Sequence, residues 1–272
     1  MILSALFDFA KASGRRLTPG LYAWLRSRVN RYERMKRRVI RIQGACVGAG
    51  PFKGMQYPPC AIDGRPIPKL IGSYEAELHA VIEQFISEKY RVVINVGCAE
   101  GYYAVGLAYA LPQTWVIGFD MAHRARLACM NLAHLNGVSD RVAVAGTCSA
   151  ERLACLPIHG ALIICDCEGA ELEILDPAKA PGLYGSTMLV ELHDCFRPGL
   201  TERLIARFGG SHRITIIDAS PRKAEDYPVL AGFSPPDQLE VLDEKRILDG
   251  KPIRQQWAVM RPKAAPVEHA SA

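Results

Sequence analysis

Residues 92–103 read Val92-Val93-Ile94-Asn95-Val96-Gly97-Cys98-Ala99-Glu100-Gly101-Tyr102-Tyr103. A short run that is apolar apart from Asn95 leads into two glycines four positions apart. A run of this kind predicts a strand buried on both faces, which is the mark of a parallel sheet covered by helices. Gly97 permits a tight turn and lets a ligand approach the backbone. Gly101 opens the next helix, whose first N–H groups attract a carboxylate or a phosphate. The dinucleotide fingerprint needs G-x-G-x-x-G, and Ala99 stands where its second glycine belongs. No Gly-Lys-Ser or Gly-Lys-Thr occurs, which excludes a P-loop. The G-x-x-x-G spacing suits a ligand with an amino-acid carboxylate better than a pyrophosphate. Alone it also describes a plain tight turn, so its surroundings must decide.

Those surroundings alternate strand and helix patterns. Strands are predicted at 92–96, 115–119, 142–145, 161–165, 188–192, 214–217 and 256–260. Helices are predicted at 101–111, stopped by Pro112, at 121–136, ended by Gly137, and at 200–208, closed by Gly209-Gly210. Ser73 reads as the N-cap of an earlier helix carrying Leu78, Val81, Ile82 and Phe85 on one face. Strand–helix alternation gives right-handed crossovers and a doubly wound α/β sheet of Rossmann-like type. Such sheets bind ligands beyond the carboxyl ends of their strands. Functional residues are therefore expected just after Val96, Phe119, Ala145, Cys165 and Leu192.

The 272 residues, 49% hydrophobic and 22% charged, describe an ordinary globular chain. No apolar run is long enough for a membrane-spanning helix. The first ten residues place their positive charges after the apolar stretch, the reverse of a secretory signal. Nine cysteines without a CxxC pair then imply a reducing, cytoplasmic setting, and Cys165 and Cys167 read as small buried hydrophobes. Residues 1–42 hold eleven Lys and Arg against Asp8 and Glu33. Nine of the net positive charges thus lie there, and the rest of the +5 chain carries four net negative. Composition divides the chain into a basic N-terminal arm at 1–43, with an amphipathic helix at 21–39, and a Gly/Pro-rich segment of loops or short strands at 44–71. An α/β domain follows at 72–262, with a disordered tail at 263–272.

Four places carry chemistry. The first is the turn itself, with Asn95, Gly97, Cys98, Glu100 and Gly101. The second is Asp120, followed by Met121, about twenty residues beyond the glycines. An acid there is placed to accept hydrogen bonds from two ribose hydroxyls, and equally to cap the next helix. Thr147, in Gly146-Thr147-Cys148, can flank an adenine ring or simply form a loop. The third is Asp166-Cys167-Glu168-Gly169-Ala170-Glu171, with Asp166 beside the reacting end. The fourth is Glu191-Leu192-His193-Asp194, where His193 has the intrinsic pKa to take a proton near neutral pH. His193, Asp166 and Asp194 are the catalytic candidates. Asp166, Glu168, Glu191 and Asp194 also have the oxygen chemistry for a hard divalent ion, but acids at helix starts arise from capping alone. No metal ligand is assigned from the sequence.

With these residues on the page, VINVGCAEGYYAVGLA at 93–108 resembles the first motif of class I S-adenosylmethionine-dependent methyltransferases. DCEGAELEIL and LVELHD are similar to the FkbM-type group, whose members mostly methylate hydroxyls of sugars and natural products. The resemblance covers about residues 72–208. It implies a seven-stranded sheet whose last strand, supplied by 256–260, runs antiparallel, behind an N-terminal helical and loop extension. It implies S-adenosylmethionine as cofactor, with Gly97 and Gly101 at its methionine part, Asp120 at the ribose and Asp166 by the methyl group. Tyr74 and Glu75, in Gly72-Ser73-Tyr74-Glu75, resemble a segment that closes over the donor. The first motif usually begins with an acid where Asn95 stands; Glu100 or Glu75 can replace that carboxylate at the donor's ammonium.

The leading expectation is O-methylation of a hydroxyl on a small-molecule acceptor. A nucleic-acid methyltransferase is the runner-up, suggested by the basic arm. The Asn/Asp-Pro-Pro-aromatic motif for exocyclic amines is replaced by Asp-Cys-Glu-Gly. A third reading is a non-catalytic binding module whose arm, with Met1, Leu3, Leu6, Phe7 and Phe9, lies on a membrane surface. The bland alternative is an arm helix packed on the body. The insertion around 227–237 is expected near the acceptor. Acceptor, metal use and assembly into a homo-oligomer stay open at this level.

Overall fold

A computed structural model of the chain describes residues 19–62, 64–244, 247–248, 251–252 and 254–263. The apolar residues 1–9 and the tail beyond Lys263 fall outside them. The chain forms two units. The first comprises the described residues up to 76 together with 221–244, and the second comprises 77–220 and 247–263. The stretch 221–244, expected as an insertion within the α/β domain, groups with the N-terminal residues.

The second unit holds the sheet. Its strands are β1 (Val92–Val96), β2 (Trp115–Phe119), β3 (Val142–Ala145), β4 (Leu162–Cys165), β5 (Thr187–Glu191), β6 (His212–Asp218) and β9 (Gln256–Pro262). A two-residue hairpin, β7 (Ile247–Leu248) with β8 (Lys251–Pro252), precedes β9. The spatial order is β3-β2-β1-β4-β5-β9-β6. β1 to β5 are parallel, and β9 is antiparallel to both β5 and β6. The seven-stranded α/β sheet with its final strand antiparallel is therefore as expected. Every residue of β4 and β5 is buried, because helices cover both faces of the sheet centre. The order reverses between β1 and β4, so the switch point of the sheet lies where Val96 pairs with Cys165.

The connecting helices are α3 (His79–Glu88), α4 (Tyr102–Ala110), α5 (His123–Leu135), α6 (Ala150–Ala154), α7 (Glu171–Ile174) and α8 (Leu200–Phe208). Gly137 takes the left-handed conformation after α5, as its position predicts. α3 begins after a short 3-10 turn, Ala76–Leu78, so Ser73 is not its N-cap.

In the first unit, α1 (Pro19–Gln43) is the basic helix, α2 is Pro66–Ile71 and α9 is Pro235–Leu242. α2 corrects the loop expectation for 44–71. Prolines at the start of a helix cost nothing, since the missing N–H has no partner there anyway. Arg31 of α1 pairs with Asp237 at 2.6 Å, and Arg38 donates to the Gly232 carbonyl while stacking on Phe233. Two cations of the arm are thus committed inside their own unit. Among the described residues no helix is long and apolar enough to cross a membrane.

His212, buried at the start of β6, hydrogen-bonds the Ser186 carbonyl through Nε2 at 3.0 Å and faces Ser211 Oγ through Nδ1 at 2.8 Å. Burial pushes its pKa below the usual histidine value, and the bonds to carbonyls only partly oppose this. The fold therefore favours neutral imidazole. As pH falls below about 6.5, the unfolded chain takes up the proton first and stability is lost. In urea denaturation, the stability advantage of wild type over His212→Gln is expected to shrink from pH 7.5 to pH 5.5. A constant difference would refute this assignment.

Candidate active site

The site is built on the carboxyl edge of the second unit's sheet. β1 ends at Val96, and Gly97 turns the chain at φ 75°. The N–H groups of Gly97 and Cys98 both donate to the Phe119 carbonyl, at 2.8 and 2.9 Å, which ties the turn to the end of β2. A Cβ on Gly97 would stand 1.6 Å from the Asp166 carbonyl oxygen. Only glycine fits between β1 and the first residue after β4. Gly101, at φ 95°, starts α4, and a Cβ there would lie 2.7 Å from Cys129 Sγ.

Between the two glycines, Ala99 is left-handed at φ 45°, a conformation that costs an alanine about 1 kcal/mol. Asp120 holds it there. Its Oδ2 accepts from Ala99 N–H at 2.9 Å, and its Oδ1 accepts from Ala122 N–H at 2.8 Å, ahead of α5. One carboxylate thus links the glycine turn to the end of β2 and to the approach of α5. Each oxygen keeps a lone pair for a further donor.

The second cluster joins β4, β5 and α7. His193, on the same face as Glu191 at the end of β5, is 4% exposed. Its Nδ1 lies 2.6 Å from Glu171 Oε1. The same oxygen accepts from the N–H groups of Cys167 and Gly169, at 3.3 and 3.2 Å. These bonds need the left-handed turn at Glu168 and Gly169, φ 57° and 102°. Nε2 faces three carboxylates: Asp166 Oδ1 at 3.5 Å, Glu191 Oε1 at 3.7 Å and Glu168 Oε2 at 3.8 Å. Gln255 Nε2 donates to Glu191 Oε1 at 2.6 Å. Burial opposes the charge of His193, but the Glu171 bond and the surrounding carboxylates outweigh it and raise its pKa. Burial likewise opposes ionisation of Glu171, and its bonds to His193 and the backbone hold it below the usual range.

The structure thus brings Gly97, Gly101, Asp120, Asp166 and His193 to one edge and places the remaining candidates in different ways. Asp194, expected beside His193 in the chemistry, turns away. Its carboxylate accepts from the N–H of Thr201, at 3.3 Å, and from its hydroxyl, at the start of α8. Cys98 is buried with its Sγ against Gly118. Its hydrogen bond with Cys129, together with burial, raises its pKa far above the usual thiol value, so it stays protonated. Asn95 and Glu100 are buried, each 2% exposed. Met121 is 80% exposed, and Thr147 is exposed with its carbonyl accepting from Arg152. Tyr74 and Glu75 belong to the first unit. There Lys69 stacks on Tyr74 and the Glu75 N–H donates to Glu244 at 3.3 Å. Sequence reasoning missed Glu171 and Gln255. For Glu171 the available signal was a third acid, after Asp166 and Glu168, which reads as an ordinary helix start.

No protein-family model matches the chain. Phenazine O-methyltransferase PhzM from Lysobacter antibioticus is 25% identical to it over 185 residues, which cover 64% of this chain and 52% of that protein. The chain thus spans about half the length of the curated relative it matches. Among solved structures, a putative O-methyltransferase from Klebsiella pneumoniae is similar with a TM-score of 0.48 and 11% identity, over 96% of this chain and 97% of that one. The O-methyltransferase TomG from Streptomyces achromogenes, in complex with SAM, is similar with a TM-score of 0.43 and 13% identity, over 70% and 89%.

Proposed function

We propose that the chain is an S-adenosylmethionine-dependent methyltransferase of FkbM-like type that methylates a hydroxyl of a small molecule. The observation that carries this reading is the Asp120 clamp: one carboxylate closes the glycine turn at the switch point and keeps lone pairs for ribose hydroxyls. The start of α4 suits the donor's carboxylate. The likeness to an enzyme named as an O-methyltransferase supports a hydroxyl acceptor. In the reaction the hydroxyl oxygen attacks the methyl carbon in line and the carbon–sulfur bond breaks. Its electron pair stays on sulfur to give S-adenosylhomocysteine. The hydroxyl proton leaves through the acidic cluster around His193. Alignment of the two reactants supplies much of the rate. All nine cysteines are free, which fits a reducing, cytoplasmic setting. Arg31 and Arg38 are engaged within their unit, which leaves these two cations of the arm less available to a nucleic acid.

Calorimetric titration with S-adenosylhomocysteine tests the proposal. Asp120→Ala removes two backbone bonds and the ribose acceptor, each bond worth about 1 kcal/mol, so affinity is expected to fall at least about tenfold. No binding at sub-millimolar ligand, with Asp120→Ala indistinguishable from wild type, would sink the reading.

A further inference from the structure

The geometry points to a binding site for one divalent cation formed by Asp166, Glu191 and His193, with Glu171 positioning the imidazole. One ligand atom from each of the three lies within 4.8 Å of the others. Nε2 stands 3.5 Å from Asp166 Oδ1 and 3.7 Å from Glu191 Oε1. Neighbouring ligands on one small cation sit about 3 Å apart, given metal–ligand bonds near 2.1 Å. The distances are thus long for good hydrogen bonds and exceed the spacing around a shared ion by roughly 0.5–0.7 Å. Rotation about the carboxylate χ angles can close that gap.

Two further observations, independent of the acidic cluster, point the same way. His193 is more than nine-tenths buried, and among the described residues no group hydrogen-bonds its Nε2, which is aimed at the carboxylates. Its Nδ1 is claimed by Glu171, a fully buried carboxylate anchored by two backbone N–H groups. In the neutral imidazole, the form a metal would bind, that bond places the proton on Nδ1 and leaves the Nε2 lone pair facing Asp166 and Glu191. A carboxylate behind a histidine is how metal-ligating imidazoles are oriented and made more basic.

One imidazole with two carboxylates suits a divalent first-row transition ion better than Ca²⁺ or Mg²⁺, which prefer all-oxygen cages, and Mn²⁺ is the member of that series used as the probe. Three protein ligands leave open positions. Its role, though not its binding, rests on the methyltransferase reading: an acceptor hydroxyl in an open position would be oriented and made more acidic. Its proton would then pass to Glu168, which is largely exposed beside Nε2.

The test uses the full chain after chelator treatment and dialysis. MnCl₂ is titrated by electron paramagnetic resonance of the free ion, and S-adenosylhomocysteine binding is measured on the same stripped sample. One Mn²⁺ per chain is expected, with at least tenfold weaker binding in Asp166→Asn and in Glu191→Gln. Glu151→Gln, an exposed carboxylate elsewhere, is expected to match wild type. Should Asp166→Asn fail to fold, Glu191→Gln alone carries the comparison. Stripped protein that binds S-adenosylhomocysteine but takes up no Mn²⁺ at millimolar concentration overturns the cation site; a proton on His193 then balances the cluster. Uptake of Mn²⁺ that the two variants do not weaken also overturns it. Stoichiometric, variant-sensitive uptake without S-adenosylhomocysteine binding supports the site and removes the donor reading.

Discussion

Gly97→Ala is expected to abolish S-adenosylhomocysteine binding and to lower the melting temperature by about 10 °C. Two costs combine. Alanine at φ 75° is strained by about 1–2 kcal/mol. Its Cβ would also stand 1.6 Å from the Asp166 carbonyl oxygen. That carbonyl cannot retreat, because the Asp166 N–H is bonded to the Val96 carbonyl at 3.0 Å at the end of the β1–β4 pairing. Either β1 separates from β4 or the turn reorganises, for a total on the order of 3–5 kcal/mol. That is a large share of the roughly 5–15 kcal/mol that holds a domain together. Reorganisation also moves Ala99 off Asp120, so donor affinity is expected to fall at least about a hundredfold, close to 3 kcal/mol. Gly210→Ala is the control: nothing lies within 4 Å of its added Cβ, and its effect is expected to stay within about 0.5 kcal/mol. Equal melting temperatures and affinities for the two variants would refute the tight-turn account.

Glu171→Ala is expected to have the next largest effect, at a residue that touches no donor in this account. The side chain is fully buried, and one of its oxygens serves His193 Nδ1 and two backbone N–H groups. Truncation leaves the buried imidazole and two part-buried N–H groups without that acceptor, at about 1–3 kcal/mol for a group left buried and unsatisfied and less where water can reach it. Because the turn around Gly169 can relax, a total near 3 kcal/mol is expected. The effect should divide by region. Thermal stability falls, and the nitrogen-15 spectrum of His193 in metal-free protein, taken at a pH where the ring is neutral, loses its single Nδ1–H tautomer. S-adenosylhomocysteine affinity changes less than about threefold, since Gly97 and Asp120 are held by separate bonds. Glu171→Gln keeps the volume and one acceptor, and should recover much of the stability. A Glu171→Ala protein that melts like wild type, with the tautomer intact, contradicts the positioning role.

The contrast between Gly97 and Glu171 shows what was legible in the sequence. Strands buried on both faces announce themselves, because β1, β4 and β5 must be largely apolar, with Asn95, Thr187 and Glu191 the polar exceptions. The turn glycines are readable for the same reason: a positive φ at a strand end admits little else. Long-range geometry was hidden. Asp120 reads as a ribose acceptor or a cap, and nothing local reveals that its Oδ2 fastens Ala99, twenty-one residues away. Glu171 reads as an ordinary acid at a helix start. Its burial depends on the turn at Glu168-Gly169 and on a histidine twenty-two residues on. Asp194 misled through adjacency: successive residues after a strand point in opposite directions, so the neighbour of His193 caps α8 instead. In the Gly/Pro-rich segment, Pro66 and Pro68 signalled a break, yet the first turn of a helix is where proline is tolerated. The grouping of 221–244 with the N-terminal unit was hidden because Arg65–Glu240 and Arg222–Glu244 join residues by tertiary contact, not by local pattern.

The central claim is that the glycine turn and Asp120 form the donor site. A crystal structure of the chain with S-adenosylhomocysteine tests it most directly. The account predicts the ligand's amino-acid carboxylate at the start of α4, its ribose hydroxyls within hydrogen-bond distance of Asp120, and its sulfur directed toward Asp166 and His193. A ligand bound elsewhere, or one whose ribose lies away from Asp120, would contradict it.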